Sequence, residues 1–284
     1  MLISGFCVLK NGVSLGYPFI ESILSILPAC DEFVVLECYS DDDTFYWLER
    51  LQKCYPNKIK LFREKWPTIS KSGSAIGEMQ TKALKLCKGR WCYLLQSDEI
   101  MPEENLSYLR DLCKPRSFLE RLIGRRRFNS YYIDLMDILD NFQTIDTKFD
   151  ANRQQIYGHR WAIRLVRNRP LIYSGGDGWQ FQGLGCSLIG TARLPSPIIH
   201  VGYNFPVNTW RKQINHALLY PDFAHYQEQA REAEKNLADY QANMLSTLST
   251  ENPLKMPKLI APMIGWMEYK VREELLNKSQ TREG

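Results

Sequence analysis

Residues Cys92 to Asn105 read CYLLQSDEIMPEEN, an apolar run to Leu95 that stops abruptly at Gln96, Ser97, Asp98 and Glu99. Two adjacent carboxylates at the end of a strand that reads as buried repel each other, and each resists leaving water. A positive partner makes the arrangement sensible: a metal ion, a Lys or Arg side chain, or a cationic reaction centre. The alternative is a solvated turn, with Pro102, Glu103 and Glu104 as the first turn of a helix. Three other places hold comparable chemistry. Glu37 ends a second apolar run, EFVVLE. His200 closes an apolar strand in SPIIHVGYNF, either as a metal ligand or as a core histidine. Asp177 lies in GGDGWQF beside Trp179, where glycine neighbours permit close approach of a ligand; the same Gly-Asp-Gly is also a common turn. Arg164 and Arg167, read as alternating on one face of RWAIRLVRN, could pair with an anion or with surface carboxylates.

The elements that must position these groups follow from the spacing of apolar residues. Leu2 to Leu9 reads as a strand, Pro18 to Leu27 as a helix, and Phe33 to Leu36 as a strand. Thr44 is the expected cap of a helix carrying Phe45, Trp47, Leu48 and Leu51. Lys58 to Phe62 alternates as a strand, Ile76 to Leu86 keeps helical spacing with Gly89 as its stop, and Trp91 to Leu95 is the next strand. Repeated strand–helix units predict an α/β fold with a mostly parallel sheet between helices. Ligands on such sheets bind at the carboxyl ends of the strands, where Gln96 to Glu99 fall. The final third reads as helical, with Phe223, Tyr226, Ala230, Ala233, Leu237 and Tyr240 stepping by three and four. Leu254 to Leu276 reads as a helix that packs on the domain or on a second subunit, or that touches a membrane surface.

The bulk composition narrows the partners. The chain has 284 residues, 44% of them hydrophobic, enough for one large domain or a domain with an extension. Its net charge of +4 is too slight to argue for nucleic acid. Aromatic residues reach 12%, suggesting a surface on which sugars or bases stack, or an aromatic-rich core. Eight cysteines without a C-x-x-C pair, beside four histidines, argue against a zinc site or a disulfide framework and for reduced thiols in the cytoplasm. MLISGFCVLKNG lacks the basic start and long apolar core of a signal peptide and reads as a first strand. No apolar stretch reaches the 18 or so residues of a membrane span.

Two nucleotide motifs are absent. Lys10, Asn11, Gly12 and Val13 follow the first strand where a dinucleotide site needs G-x-G-x-x-G, and no P-loop run occurs. The order of the remaining motifs resembles a family-2-type glycosyltransferase of the GT-A fold, in a bacterial subgroup. FCVLKNG resembles that family's first strand and Asn-containing loop. VVLECYSDDDT fits its strand, acid, Ser, Asp, Thr pattern, with Glu37, Ser40, Asp42 and Thr44 in those places. GSAIGEMQTKALKLCKGRWCYLLQSDEI resembles the helix and strand leading to the D-x-D site, with Gln96 at the first acid and Asp98 at the last. RWAIRLVRN, GGDGWQF and IIHVGY resemble the acceptor half, and the likeness runs from residue 2 to about 220.

The resemblance implies a GT-A-like, Rossmann-type mixed sheet, mostly parallel, in residues 1–215: a nucleotide-binding half, 1–113, and an acceptor half, 114–215. Residues 216–284 would form a helical C-terminal extension. It implies a cytoplasmic, metal-dependent, inverting transferase moving sugar from a nucleotide-diphosphate sugar, a UDP-sugar foremost, to a saccharide or lipid-linked acceptor. The C-terminal region would be open to peripheral contact with the inner face of the membrane, and the chain to homodimerisation. Asn11, Glu37, Gln96 and Asp98 would bind the nucleotide sugar. Asp98 and His200 would hold Mn2+ or Mg2+, with Glu99 a supporting group or a helix-start acid. Asp177 would take the acceptor proton, with Asp150 or Asp146 next in line. At a strand end, Asp98 is expected to tolerate Asn without loss of the fold. Two rivals remain: a sugar nucleotidyltransferase, and a catalytically silent binding or scaffold protein on the same fold.

Overall fold

A computed structural model of the chain describes residues 1–67, 74–115, 128–139, 144–145, 159–176, 178, 180–183, 189–192, 194–203 and 206–243. Strand–helix units fill the first part, as the periodicity predicts: β1 Ile3–Leu9, α1 Phe19–Ile26, β2 Glu32–Glu37, α2 Thr44–Cys54, β3 Ile59–Arg63, α3 Ser74–Leu86 and β4 Trp91–Leu94. There follow β5 Glu99–Ile100, α4 Asn105–Cys113, β6 Ser130–Leu139, β7 Thr144–Ile145 and β8 His159–Arg167. A small hairpin, β9 Tyr173–Gly175 and β10 Gln180–Gln182, precedes β11 Ile189–Ala192 and β12 Ile198–Tyr203. Two helices end the described residues, α5 Pro206–Leu219, which runs across residue 215, and α6 Ala224–Asn243.

Among the described residues the main sheet has the order β3-β2-β1-β4-β8-β6-β12-β5, with β7 and β11 also paired to β6. The first four strands are parallel to their neighbours, β8 is antiparallel to β4 and β6, and β12 is parallel to β6. Each of β1, β2 and β4 is covered on both faces, which is why they read as unbroken apolar runs. Cys7, Leu9 and Val35 pack on one face against Ile23 and Ile26 of α1 and Leu48 and Leu51 of α2. Phe6, Val34 and Leu94 pack on the other against Met79 and Ala83 of α3. The chain winds from β1 outward to β3, then crosses back through α3 to place β4 on the far side of β1. Winding thus reverses between β1 and β4, and such a reversal leaves a crevice at the carboxyl ends of the strands.

Two local expectations need correction. Glu99 does not start a helix: Glu99 and Ile100 form β5, pairing antiparallel with His200 and Ile199, and α4 begins only at Asn105. Tertiary pairing overrides the local preference of a Pro- and Glu-rich turn. At α2 the N-cap residue is Asp43 rather than Thr44, and its side chain makes no capping bond. The Asp42 carboxylate accepts the Thr44 N–H at 3.0 Å and the Thr44 hydroxyl, and also the Ser14 N–H at 2.8 Å and the Ser14 hydroxyl at 2.9 Å. One side chain therefore ties the first residue of the helix to the loop after β1. Six of the seven cysteines among the described residues are buried, all seven are free, and Cys54 is exposed.

Helix α3 also fixes the segment that brackets Asp177, which itself lies outside the described residues, as does Trp179. The Gly77 N–H donates to the Gly176 carbonyl at 3.1 Å. A Cβ on Gly77 would meet that oxygen at 2.6 Å and the Ser174 carbonyl at 3.0 Å. Gly77→Ala is therefore expected to destabilise the protein by about 1–3 kcal/mol, although Ala is worth about 1 kcal/mol more than Gly in an open helix. Urea denaturation measures this, and a stabilised variant would show that the contact is loose.

Candidate active site

A cavity of about 530 Å³ opens where β1 and β4 end, at the crevice the topology leaves. Lys10 and Asn11 reach it from the loop after β1, and Gln96, Ser97, Asp98 and Glu99 from the loop after β4. His200 enters from β12, Arg164 from β8, and Ile76 and Gln80 from α3. Helix α5 closes one side with Lys212, Asn215, His216 and Leu219, residues spaced to share a helix face. Tyr17, Trp66, Tyr220 and Tyr226 add aromatic wall. Of the residues singled out in the sequence, Asn11, Gln96, Asp98 and His200 converge here.

Asp98 is 6% exposed. Its Oδ2 accepts from the Lys212 ammonium at 2.7 Å and lies 3.1 Å from His200 Nε2. The β5–β12 register, with His200 opposite Glu99, brings the histidine beside it. Burial alone would raise this carboxyl's pKa; Lys212 and then His200 outweigh it and hold Asp98 well below the usual carboxylate range. His216 is affected in the opposite sense to an exposed histidine. Burial, then the Lys212 charge, push it down to about 4, against a smaller pull upward from Asp98.

Glu99 answers the puzzle of the adjacent acids in the same way. It is fully buried and receives Arg164 Nη2 at 2.7 Å and Nε at 3.2 Å, while its Oε2 accepts the Gln96 N–H at 3.0 Å. The pairing of β8 with β6 skips Arg164: Tyr131 stands opposite Leu165 and Tyr132 opposite Ile163. Such a bulge re-aims the side chain it releases. Arg167 goes elsewhere, lying 4.5 Å over the Trp91 ring, so the two arginines do not share one site as the alternating reading expected.

Glu37 is buried but does not line the cavity. It accepts the Ser40 N–H at 2.5 Å and Arg63 Nε at 2.6 Å. The Arg63 guanidinium rests on Phe45 at 3.9 Å and Tyr39 at 4.2 Å. Asn11 adopts φ +54, its N–H donates to the Ser40 hydroxyl at 2.8 Å, and its Oδ1 accepts the Asp41 N–H at 2.9 Å. Glu37 and Asn11 thus brace one loop, and Asn11 alone reaches the cavity wall. Gly176 and Gly178, either side of Asp177, both take positive φ, and a Cβ on Gly178 would meet the Gln80 side chain at 2.6 Å. Asp146 and Asp150 lie outside the described residues.

The divalent cation that the resemblance implies can be tested against these donors. Among the described residues no three His, Cys, Asp or Glu side chains gather to hold an ion. Asp98 and His200 are adjacent, but Gln96 brings no charge and Glu99 is committed to Arg164. The Asp98 oxygen nearest His200 already carries an ammonium. The charges of Asp98 and Glu99 are balanced by Lys212 and Arg164, so the residues present do not fit a dedicated metal cage.

No family model matches the chain, and no curated protein matches it. Solved structures similar to it include S. aureus TarS 1–349, at 16% identity over 97% of this chain and 82% of that chain, with a TM-score of 0.41. Mannosyltransferase PcManGT from Pyrobaculum calidifontis, in complex with GDP-Man and Mn2+, is 11% identical over 98% of this chain and 88% of that chain, with a TM-score of 0.41. Glucosyl-3-phosphoglycerate synthase from Mycobacterium tuberculosis, in complex with Mn2+ and UDP-glucose, is 15% identical over 77% of this chain and 79% of that chain, with a TM-score of 0.38. These likenesses are too distant to assign a family, and the reading of the cavity rests on its own residues.

The burial of Asp98 and its pairing with Lys212 argue against the expectation that it tolerates Asn without cost. Removing one partner of a buried pair leaves the other charge stranded, at about 3–5 kcal/mol. Asp98→Asn and Glu99→Gln are each expected to lose that much in urea denaturation. Asp111→Asn, which breaks an ion pair whose side chains are both 65% exposed, should change little. Equal small losses in all three would show that the buried pairs are not formed.

His216 gives a second test. Its folded pKa of about 4 lies below the ordinary value near 6.5, so between those limits the unfolded chain takes up a proton that the fold refuses. Stability should therefore fall as pH drops through that window, by up to about 3 kcal/mol. His216→Gln should flatten the profile of melting temperature against pH, and identical slopes in variant and wild type would contradict the assignment.

Proposed function

We propose that the chain is a glycosyltransferase of the GT-A type, moving a sugar from a nucleotide-diphosphate sugar to a hydroxyl of a saccharide or lipid-linked acceptor. The observation that carries this is the cavity at the winding reversal. It joins paired acids and cations on one wall to an aromatic and apolar wall on the other. The polar wall, with Lys10 and Lys212, suits a diphosphate; Tyr17, Trp66 and Tyr220 suit a base or sugar ring. Gln96 can hydrogen-bond ribose or sugar hydroxyls, and Asn11 lines the same end.

In the proposed reaction the acceptor oxygen attacks the anomeric carbon, the bond from that carbon to the diphosphate oxygen breaks, and the diphosphate leaves with the electron pair. Asp177 takes the acceptor proton, and attack opposite the leaving group inverts the anomeric centre.

UDP-, GDP- and dTDP-sugars should be screened against the full chain by thermal shift. One of them at a hundred times its Kd should stabilise the fold by about 2.7 kcal/mol. With that donor, Asp177→Asn should keep binding within about threefold while lowering sugar transfer by about 10²–10⁴. Donor binding without transfer to any acceptor would favour a silent binding protein, and release of inorganic pyrophosphate a nucleotidyltransferase. Transfer by Asp177→Asn at the wild-type rate would move the base elsewhere.

A further inference from the structure

We propose that Lys212 is the built-in cation of the diphosphate subsite, so that the cavity binds a nucleoside diphosphate without a divalent metal. The inference rests on the glycosyltransferase reading and extends it to the leaving group. Lys212 is 7% exposed, carried by α5 across the cavity from the strand ends, with its Nζ 2.7 Å from Asp98 Oδ2 and 5.6 Å from the centre of the Tyr17 ring. A buried lysine far from any ligand would be better replaced by an apolar residue. Here the ammonium stands at the residue where the resemblance puts a metal, on the same carboxylate oxygen and beside the same histidine.

Three features fit the ammonium to phosphate. An ammonium is a compact charge with three donors, one of which goes to Asp98, and phosphate oxygens are acceptors that suit such a centre. Asp98 holds Lys212 in place before the ligand arrives, and such preorganised charge costs no reorganisation when the C–O bond breaks and negative charge grows on the diphosphate. Gln96, where the resemblance expects an acid, adds no second negative charge with which to hold a dication.

Calorimetric titration of UDP and GDP into the full-length protein, in EDTA and then with Mn2+, tests this. The wild type is expected to bind one of them in EDTA within about threefold of its affinity with Mn2+. Lys212→Gln should weaken that binding about ten- to a hundred-fold, as expected for a lost charged hydrogen bond, and leave uridine or guanosine binding unchanged. Lys212→Arg should retain most of it, which separates loss of charge from loss of fold if the Gln variant is unstable. Wild-type binding that requires Mn2+ would overturn the proposal while leaving the glycosyltransferase reading in place. Absence of UDP and GDP binding under both conditions would overturn both.

Discussion

The structure of the site depends on pairing two adjacent buried carboxylates with cations drawn from distant parts of the chain. Asp98 takes Lys212, 114 residues on, and Glu99 takes Arg164, 65 residues on. Burial alone would favour the neutral form of Asp98, and the Lys212 charge outweighs it. Each pair therefore staples an element to the loop after β4: the Lys212 pair fastens α5, and the Arg164 pair fastens the bulged strand β8. Glu99 also accepts the Gln96 N–H, so the same charge shapes the loop that carries Gln96 and Asp98 into the cavity. The proposed binding chemistry and the tertiary structure share these groups, so a change of charge at one disturbs the other.

The sheet supplies the frame for this. Parallel pairing of β1 with both β2 and β4 forces the chain to cross back through α3, and the crossing opens the crevice. Loops after β1 and β4 then meet at one end of the sheet. Asp42 binds both Thr44 and Ser14, and the Arg211 guanidinium donates to the Ser14 carbonyl at 2.9 Å, so the loop after β1 is held from two sides. Helix α5 thus belongs to the cavity as much as any strand does, since it brings Lys212, Asn215 and His216 to one wall.

Much of this was legible in the sequence for a physical reason. Strands buried on both faces show as unbroken apolar runs, and helices over a sheet show their period, so β1, β2, β4, α1 and α3 could be placed. The abrupt end of CYLL at QSDE marked the site, and His200 was marked by its apolar strand. What could not be read depends on contacts remote in the chain. The two-residue strand at Glu99 exists only because β12 lies beside it, and nothing local distinguishes it from a helix start. Arg164 was visible, but its bulge and its carboxylate partner were not. Lys212 was missed, although Lys212, Asn215 and His216 in WRKQINHALL form a polar stripe at helical spacing. Glu37 shows the converse: an acid ending an apolar strand, read as a ligand group, is matched by Arg63, the last residue of β3, just after the alternating run Lys58 to Phe62.

The central claim is that Asp98 is buried, ionised and matched by Lys212. A pH titration of 13C-labelled aspartate carboxylates by NMR, with the Asp98 signal assigned from Asp98→Asn, measures this directly. The account predicts that Asp98 stays ionised through the ordinary aspartate range near about 3.9. An Asp98 midpoint at or above that range in the folded protein would mean that burial outweighs the ammonium, and would contradict the account.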